Sequence, residues 1–259
     1  MDKRSPIRGA SITVEWESER DAGKTAARGA RMGRMTERPM IIGTEAVIQV
    51  GVLVLEQQAN FCDLTIRYND QVLEPRAWTE AQSAWAVELL ADAPSGPVLE
   101  LCAGVGHIGL GAIRDSSRRL VMVDFNPAAQ RFALDNAAAN HLTEWVEFRL
   151  ARMEEALEAD ERFGLIIADP PWVPSTQTSQ FPADPITAID GGDDGLDLAR
   201  TCVELIDRHL LDEGSALLQL GNTEQVARIG QYAEQHLAGS LKVAETRTFE
   251  NGVVIRLAR

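Results

Sequence analysis

Two short stretches hold residue types that could do chemistry. The first, Glu100-Leu-Cys-Ala-Gly104-Val-Gly106-His-Ile-Gly109, stands where the apolar run VLELC gives way to a helical pattern. Glycines at 104 and 106 permit a tight turn and let the backbone lie against a ligand with no Cβ in the way. Asp124 closes the next apolar run, 20 residues after Gly104. An acidic side chain at that place can accept hydrogen bonds from both hydroxyls of a ribose. Gly104-Val-Gly-His-Ile-Gly109 also satisfies the dinucleotide fingerprint, so an NAD-dependent oxidoreductase competes for this loop. Glu100 tips the balance, because a carboxylate beside a pyrophosphate is unfavourable and beside a cation is not. S-adenosylmethionine carries a sulfonium, an ammonium group and a ribose, and is the cofactor this loop suits.

The second stretch is Asp169-Pro170-Pro171-Trp172, directly after the apolar Ile166-Ile-Ala. Two consecutive prolines fix φ and remove two N–H donors, which leaves the surface there rich in acceptors. The Asp169 carboxylate and the Pro170 carbonyl can together accept both hydrogens of a planar NH2 group, and Trp172 can pack on its face. An amide or aryl amine is a poor nucleophile because its lone pair is delocalised. Acceptors that hold its hydrogens orient the nitrogen and favour pyramidalisation as a methyl group approaches. A rigid strand-end turn capped by a buried Trp is the plainer reading. The glycine loop two strands earlier favours the functional one, since open α/β sheets bind ligands outside the carboxyl ends of their strands.

The elements that must position these residues alternate regularly. VLELC (98–102), LVMVD (120–124), VEFRL (146–150), GLIIAD (164–169) and SALLQLG (215–221) read as strands. HIGLGAIRD, PAAQRFALDNAAANH with Pro127 in its first turn, the polar MEEALEAD, DGLDLARTCVELIDRHL and TEQVARIGQYAEQHL read as the helices between them, with a long loop over 173–192. Strands separated by helices need crossover connections, so a doubly wound α/β fold with a mainly parallel sheet is expected. KVAETRTF and GVVIRLAR, joined at Asn251-Gly252, complete seven strands and make the last one antiparallel.

Upstream, AVIQVGVLVLE, FCDLTIRY and QVLEPR read as extended pieces, with a hairpin turn at Asn69-Asp70. Thr79 reads as the N-cap of EAQSAWAVELL, which would bury Ala81, Ala84, Trp85, Val87 and Leu89. The expected organisation is a mobile basic arm over 1–40, strands, hairpin and helix over 41–93, and the α/β domain over 94–259.

The 259 residues are 45% hydrophobic and 25% charged, an ordinary globular balance. No apolar run approaches the roughly 18 residues of a membrane span, and no leader pattern opens the chain, so neither membrane nor secretion is expected. Cys62, Cys102 and Cys202 are scattered and odd in number, which fits a reducing cytoplasm. His107, His141, His209 and His236 show no metal-ligand spacing, and no metal is expected. Residues 1–40 hold nine Lys or Arg against six Asp or Glu, so the net charge of −14 leaves the remainder at −17. A body of that sign repels a phosphate backbone and disfavours a nucleic-acid partner.

The two constellations together resemble class I S-adenosylmethionine-dependent methyltransferases, and among them the HemK-like glutamine methyltransferases that modify peptide-chain release factors. The likeness runs over roughly residues 72–259. It rests on Pro75-Arg76 and Thr79-Glu80, LELCAGVGHIGLGA, VDFNPAAQRFALDNAAAN with its Asn136-Ala137 pair, ADPPWVPS, and FPADPITAIDGGDDGL over 181–196. It implies a Rossmann-like methyltransferase fold. It also implies that Glu100, Ala103, Gly104 and Gly106 line the methionine part of the cofactor, Asp124 holds the ribose and Phe125 lies against the adenine. Asp169 and Pro170 would hold the substrate nitrogen, with Pro171 and Trp172 completing the substrate site. Four departures stand out. Cys102 replaces the loop's first glycine. Arg152 stands where an acidic residue normally binds the adenine amine, leaving that contact to the Met153 backbone or Glu154. Asp169 replaces the more usual Asn. The family's N-terminal helical bundle is not visible. The resemblance thus implies methyl transfer to a protein glutamine, the partner being a release factor; an exocyclic amine of adenine or guanine in nucleic acid is the alternative acceptor.

Overall fold

A computed structural model describes residues 56–237 and 241–259. The arm expected over 1–40 and nearly all of the run AVIQVGVLVLE lie outside the described residues. A two-stranded hairpin, β1 (Gln57–Phe61) and β2 (Leu64–Tyr68), leads to α1 (Glu80–Leu90). The main sheet then builds from β3 (Val98–Leu101), β4 (Leu120–Asp124), β5 (Val146–Leu150), β6 (Phe163–Ala168), β7 (Leu210–Leu220), β8 (Lys242–Phe249) and β9 (Gly252–Ala258). Its order is β5-β4-β3-β6-β7-β9-β8. The first five of these run parallel, and β9 is antiparallel to both neighbours. The seven-stranded, mainly parallel doubly wound sheet is therefore as the alternation of elements implies, and its antiparallel last strand is as the hairpin signal near Asn251-Gly252 implies.

Helices cover both faces, which is why the strands read as continuous apolar runs. Val98, Met122 and Ile167 point to one side, where Trp85 of α1, Leu110 of α2 (His107–Ile113) and Phe132 of α3 (Pro127–Ala139) pack with Phe61 and Ile66 of the hairpin. Leu99, Val123 and Ile166 point to the other, against α5 (Asp197–His209) and α6 (Thr223–His236). Successive residues alternate between the two clusters, as the two-residue period of a strand requires. Asn126 caps α3 by accepting from the Ala128 N–H, with Pro127 at the first helical position. Among the described residues no helix is long and apolar enough to cross a membrane.

Several local expectations need correction. The hairpin turns at Cys62-Asp63, not Asn69-Asp70, with φ of 50° and 62° at the two turn residues. Such left-handed pairs match the twist of the strands they join. Asn69 does make a turn, its Oδ1 accepting from the Gln71 N–H at 2.9 Å. That turn sends 71–76 across the molecule as irregular chain rather than back as a strand. MEEALEAD forms only a 3-10 turn over Met153–Glu155. The 173–192 loop contains a 3-10 segment, Ser175–Gln180, and the single helical turn α4 (Ile186–Ile189).

The β8–β9 hairpin pairs Phe249 with Gly252, so Glu250 and Asn251 are its turn residues and Gly252 opens β9. A Cβ on Gly252 would come within 2.2 Å of the Gln219 amide nitrogen on β7. Thr79 does not cap α1 through its side chain, because its hydroxyl donates to the Arg76 carbonyl at 2.8 Å. Ala84 and Val87 of α1 are exposed and the buried face is Gln82, Ser83, Trp85 and Ala86. The two polar members are there to bond: Gln82 donates to the Ala168 carbonyl and Ser83 to that of Ile108.

Candidate active site

Register decides what meets at the carboxyl edge of the sheet. Leu101 of β3 pairs with Ala168 of β6 on one side and with Val123 of β4 on the other. Cys102, Asp124 and Asp169 therefore leave the sheet side by side, at the switch point where strand order reverses. A cavity of about 510 Å³ opens there. Ala103, Gly104, Asp124, Phe125, Met153 and Asp169 all line it, and so do Cys102, Arg152 and Glu154.

Gly104 has a left-handed φ of 52°, and a Cβ built on it would find nothing within 4 Å. The glycine keeps cavity space open there. Its N–H donates to Asp124 Oδ2 at 2.8 Å, while Asp124 Oδ1 accepts from the Asn126 N–H at 2.9 Å. Both carboxylate oxygens are thereby fixed in direction with lone pairs to spare. Burial pushes the Asp124 carboxyl above the usual range, against the pull of the backbone N–H groups of Asn126, Gly104 and Phe125. Phe125, which lines the cavity, is 53% exposed, whereas Met153, which lines it too, is buried. The Arg152 guanidinium reaches Glu154 at 3.4 Å.

Cys102 takes up a φ of 56°, the left-handed conformation a glycine would adopt without strain. Its thiol lies against that of Cys202, and this contact together with burial pushes it up, away from the reactive thiolate.

Glu100 and Gly106 do not line this cavity. Glu100 is 2% exposed beneath the loop, with Oε1 accepting from the Gly109 N–H at 2.9 Å and Oε2 without a partner. Burial, with the charges of Asp169 and Asp124 adding to it, pushes its carboxyl up to about 8 against the Gly109 bond. Gly109 is a glycine for Glu100's sake, since a Cβ there would come within 2.3 Å of Oε2. Gly106 has φ 78° and would drive a Cβ to 2.8 Å from the Met122 sulfur, so it lets α2 sit against β4. His107, which the sequence offered only as an isolated histidine, lines the cavity. Its Nε2 lies 3.3 Å from the Thr79 hydroxyl, and burial lowers it to about 3.

A second cavity of about 410 Å³ adjoins the first. Pro170, Trp172, Trp78 and Phe181 line it, and Leu73, Asp169, Pro171 and Ala188 line both. Asp169 thus stands in the partition, its carboxyl pushed up to about 7 by burial. Trp172 faces the second cavity alone, and three features fix it. Its ring lies over Gly221, where a Cβ would come within 2.5 Å of Cε3. Its carbonyl approaches Gly195, where a Cβ would come within 2.3 Å. That carbonyl also accepts from Gln225 Nε2 at 2.9 Å, while Gln225 Oε1 accepts from the Gly221 N–H at 2.8 Å.

Sequence reasoning missed Gln225, the far walls supplied by Thr187, Asp190, Gly192 and Asp197, and the Leu73 end of the irregular 71–76 segment. The Gly191-Gly192 pair was the one local signal for that far wall. Among the described residues no group of three or more His, Cys, Asp or Glu side chains is arranged to hold a metal.

Comparison with known proteins bears on the family and the fold. Residues 79–188 match the methyltransferase small domain family. A release factor glutamine methyltransferase of Xylella fastidiosa is 32% identical over 208 residues, covering 78% of this chain and 73% of that protein. One of Thermodesulfovibrio yellowstonii is 27% identical over 175 residues, which are 64% of this chain and 62% of the relative, so the chain spans about three fifths of that protein's length. In fold, the ribosomal protein L11 methylase of Lactobacillus delbrueckii subsp. bulgaricus superposes with a TM-score of 0.54 at 14% identity, covering 73% of this chain and 81% of that one. By these likenesses the chain belongs to the HemK-like family of S-adenosylmethionine-dependent methyltransferases.

Proposed function

We propose that the protein transfers a methyl group from S-adenosylmethionine to the side-chain amide nitrogen of a glutamine in a protein. The observation that carries this reading is the pair of adjoining cavities with Asp169 in their common wall. The residues present fit the cofactor. Open space at Gly104, a doubly anchored carboxylate at Asp124 and a flat rim at Phe125 suit an amino-acid tail, a ribose and an adenine in turn. When bound, S-adenosylmethionine supplies an electrophilic methyl group on a cationic sulfur.

Every other contribution comes from the chain. Asp124 accepts from the ribose hydroxyls, and Met153 and Phe125 enclose the base. In the second cavity the Asp169 carboxylate and the Pro170 carbonyl accept the two hydrogens of the acceptor NH2 group. Trp172 packs on its plane. These three groups turn the nitrogen lone pair toward the first cavity and weaken its conjugation with the carbonyl. The nitrogen sheds one of its two protons to water as it takes the methyl group, which leaves a neutral N-methyl amide. A protein acceptor is favoured by the net charge and by the names of the relatives above, both glutamine methyltransferases of release factors. The three cysteines are free thiols, as a cytoplasmic protein keeps them.

Incubation with tritiated S-adenosylmethionine and separate protein and nucleic-acid fractions of a lysate tests the reading. Label in a protein, on a glutamine by mass spectrometry, is expected, with a release factor the first candidate to examine. Label confined to nucleic acid would instead select the nucleobase amine, and binding of NADH without S-adenosylmethionine would end the methyltransferase reading.

A further inference from the structure

The partition between the two cavities is assembled from three separate stretches of chain. Leu73 comes from the irregular segment before α1, Asp169 and Pro171 from the end of β6, and Ala188 from the 173–192 loop. The rear of that loop is tied to β6's continuation by backbone bonds, Val173 N–H to Ile189 and Gly191 N–H to Val173, both 2.9 Å. Its front, residues 181–188, makes backbone bonds only within the 173–192 loop itself, the outermost to Thr178 and Asp190. One side-chain contact reaches out from it: Asp184 Oδ1 accepts from the Arg76 guanidinium at 2.6 Å, across 108 residues of sequence. Among the described residues no other hydrogen bond or ion pair joins 181–188 to 72–79.

Arg76 is itself held in place. Glu74 lies 3.7 Å from its other nitrogen, its guanidinium stands 5.7 Å from the Trp78 ring centre, and its carbonyl accepts from both Thr79 N–H and Thr79 Oγ1. Asp184 is 15% exposed and Arg76 27%, so water screens the pair only in part. Both residues line the second cavity.

We infer that Arg76 and Asp184 are positioning residues, a latch that holds the front of the 173–192 loop against the segment before α1 and so sets the width of the passage between donor and acceptor cavities. This rests on the methyl-transfer reading for its consequence, though not for its geometry. Such a pair contributes little to global stability. Its value is geometric, because transfer between two bound groups is sensitive to displacements of about 1 Å, which can cost on the order of a hundredfold.

The test uses Arg76→Met and Asp184→Asn in the full chain, with Arg119→Ala, whose pair with Glu147 lies at the opposite end of the sheet, as control. Faster amide hydrogen exchange confined to 181–188 is expected in the two latch variants. S-adenosylhomocysteine affinity by calorimetry should stay within about threefold, while methyl transfer to the labelled protein at saturating donor falls by roughly a hundredfold. Arg76→Lys should restore part of it. Unchanged exchange or unchanged transfer overturns the latch, as does a loss of melting temperature and donor affinity together, which would mark a merely structural pair. If the wild-type protein labels no protein at all, the methylation reading fails. Exchange at 181–188 and donor affinity then still decide for or against the latch.

Discussion

Asp169 has to accept a hydrogen bond from an NH2 group, and it does so most strongly while ionised. A protonated carboxyl keeps one weaker acceptor oxygen and adds an O–H that clashes with an NH2 donor placed against it. Burial holds this group near 7 rather than near the ordinary carboxylate value of 3.8. The kcat/KM for donor should therefore rise with pH through a single ionisation near 7 and level off above it, and at saturating donor the sulfonium charge should move that limb to lower pH. Asp169→Asn supplies a permanent acceptor of the same shape. It should keep turnover within about tenfold of wild type at pH 8 and lose the acid limb altogether. Asp169→Ala should cost roughly two orders of magnitude or more in turnover, with affinity for S-adenosylhomocysteine, which lacks the sulfonium charge, nearly intact. An acid limb that persists in the Asn variant would assign the ionisation elsewhere. Asp124 makes the opposite split. Asp124→Ala should weaken S-adenosylhomocysteine binding by about 1–3 kcal/mol, the worth of a charge-assisted contact. Calorimetry reads this directly, and equal affinity would remove the ribose contact.

The elements that carry these residues were legible to different degrees, for physical reasons. The glycine loop and Asp-Pro-Pro-Trp could be read because their chemistry is local: a strand end, a turn and the next side chains all lie within a few residues. That the sheet is mainly parallel followed from alternation, while the order of its strands did not. The buried face of α1 was not legible. A helix that buries Gln82 and Ser83 looks, by hydrophobic pattern, as though it should turn Ala84 and Val87 inward. Only the carbonyls of Ala168 and Ile108 in the folded chain explain why it does not. The Cys62-Asp63 turn lacks the Asn or Gly that usually marks left-handed φ, so a turn signal a few residues on looked stronger.

Gln225 is the sharpest case. On the sequence it is one polar residue in the first turn of α6. In the fold it joins that helix to the Trp172 carbonyl, the end of β7 and the loop at Gly195, whose carbonyl lies 3.5 Å from Nε2. Gln225→Leu would leave the Trp172 carbonyl and the Gly221 N–H without their partner. Unfolding by denaturant should show a loss of about 1–3 kcal/mol. Because Trp172 faces only the acceptor cavity, methyl transfer should fall further than donor affinity does. Equal losses in both would mean that α6 supports the sheet edge as a whole rather than Trp172.

For the molecule as a whole, two groups of carboxyls pull stability in opposite directions with pH. Away from the site, Glu161 is held down to about 2 by Arg149, and Asp194 is held down by Arg200. Groups with depressed values stabilise the fold above their unfolded values, and that contribution is lost only as pH falls through the depressed ones. At the site the order is reversed, since Glu100, Asp169 and Asp124 are all raised by burial. For Glu100 the folded state holds a proton from the ordinary value of 4.5 up to about 8, while the unfolded chain has given it up. The folded state then binds more protons than the unfolded state across that window, so stability declines as pH rises through it and levels off above about 8. The melting temperature should therefore be highest in the weakly acidic range and fall toward pH 8.5. Glu100→Gln keeps an acceptor for the Gly109 N–H and carries no proton to lose. It should match or fall slightly below wild type at pH 5 and exceed it at pH 8.5, the difference growing by an amount on the order of a few kcal/mol. Parallel melting curves for the two proteins across this range would show that Glu100 is ionised in the fold. S-adenosylmethionine adds a test of sign at the same scale. Its positive charge favours the ionised forms of Asp124 and Asp169, so a fixed concentration should raise the melting temperature more at pH 8.5 than at pH 6. S-adenosylhomocysteine, which lacks the sulfonium charge, should show a smaller difference between the two pH values.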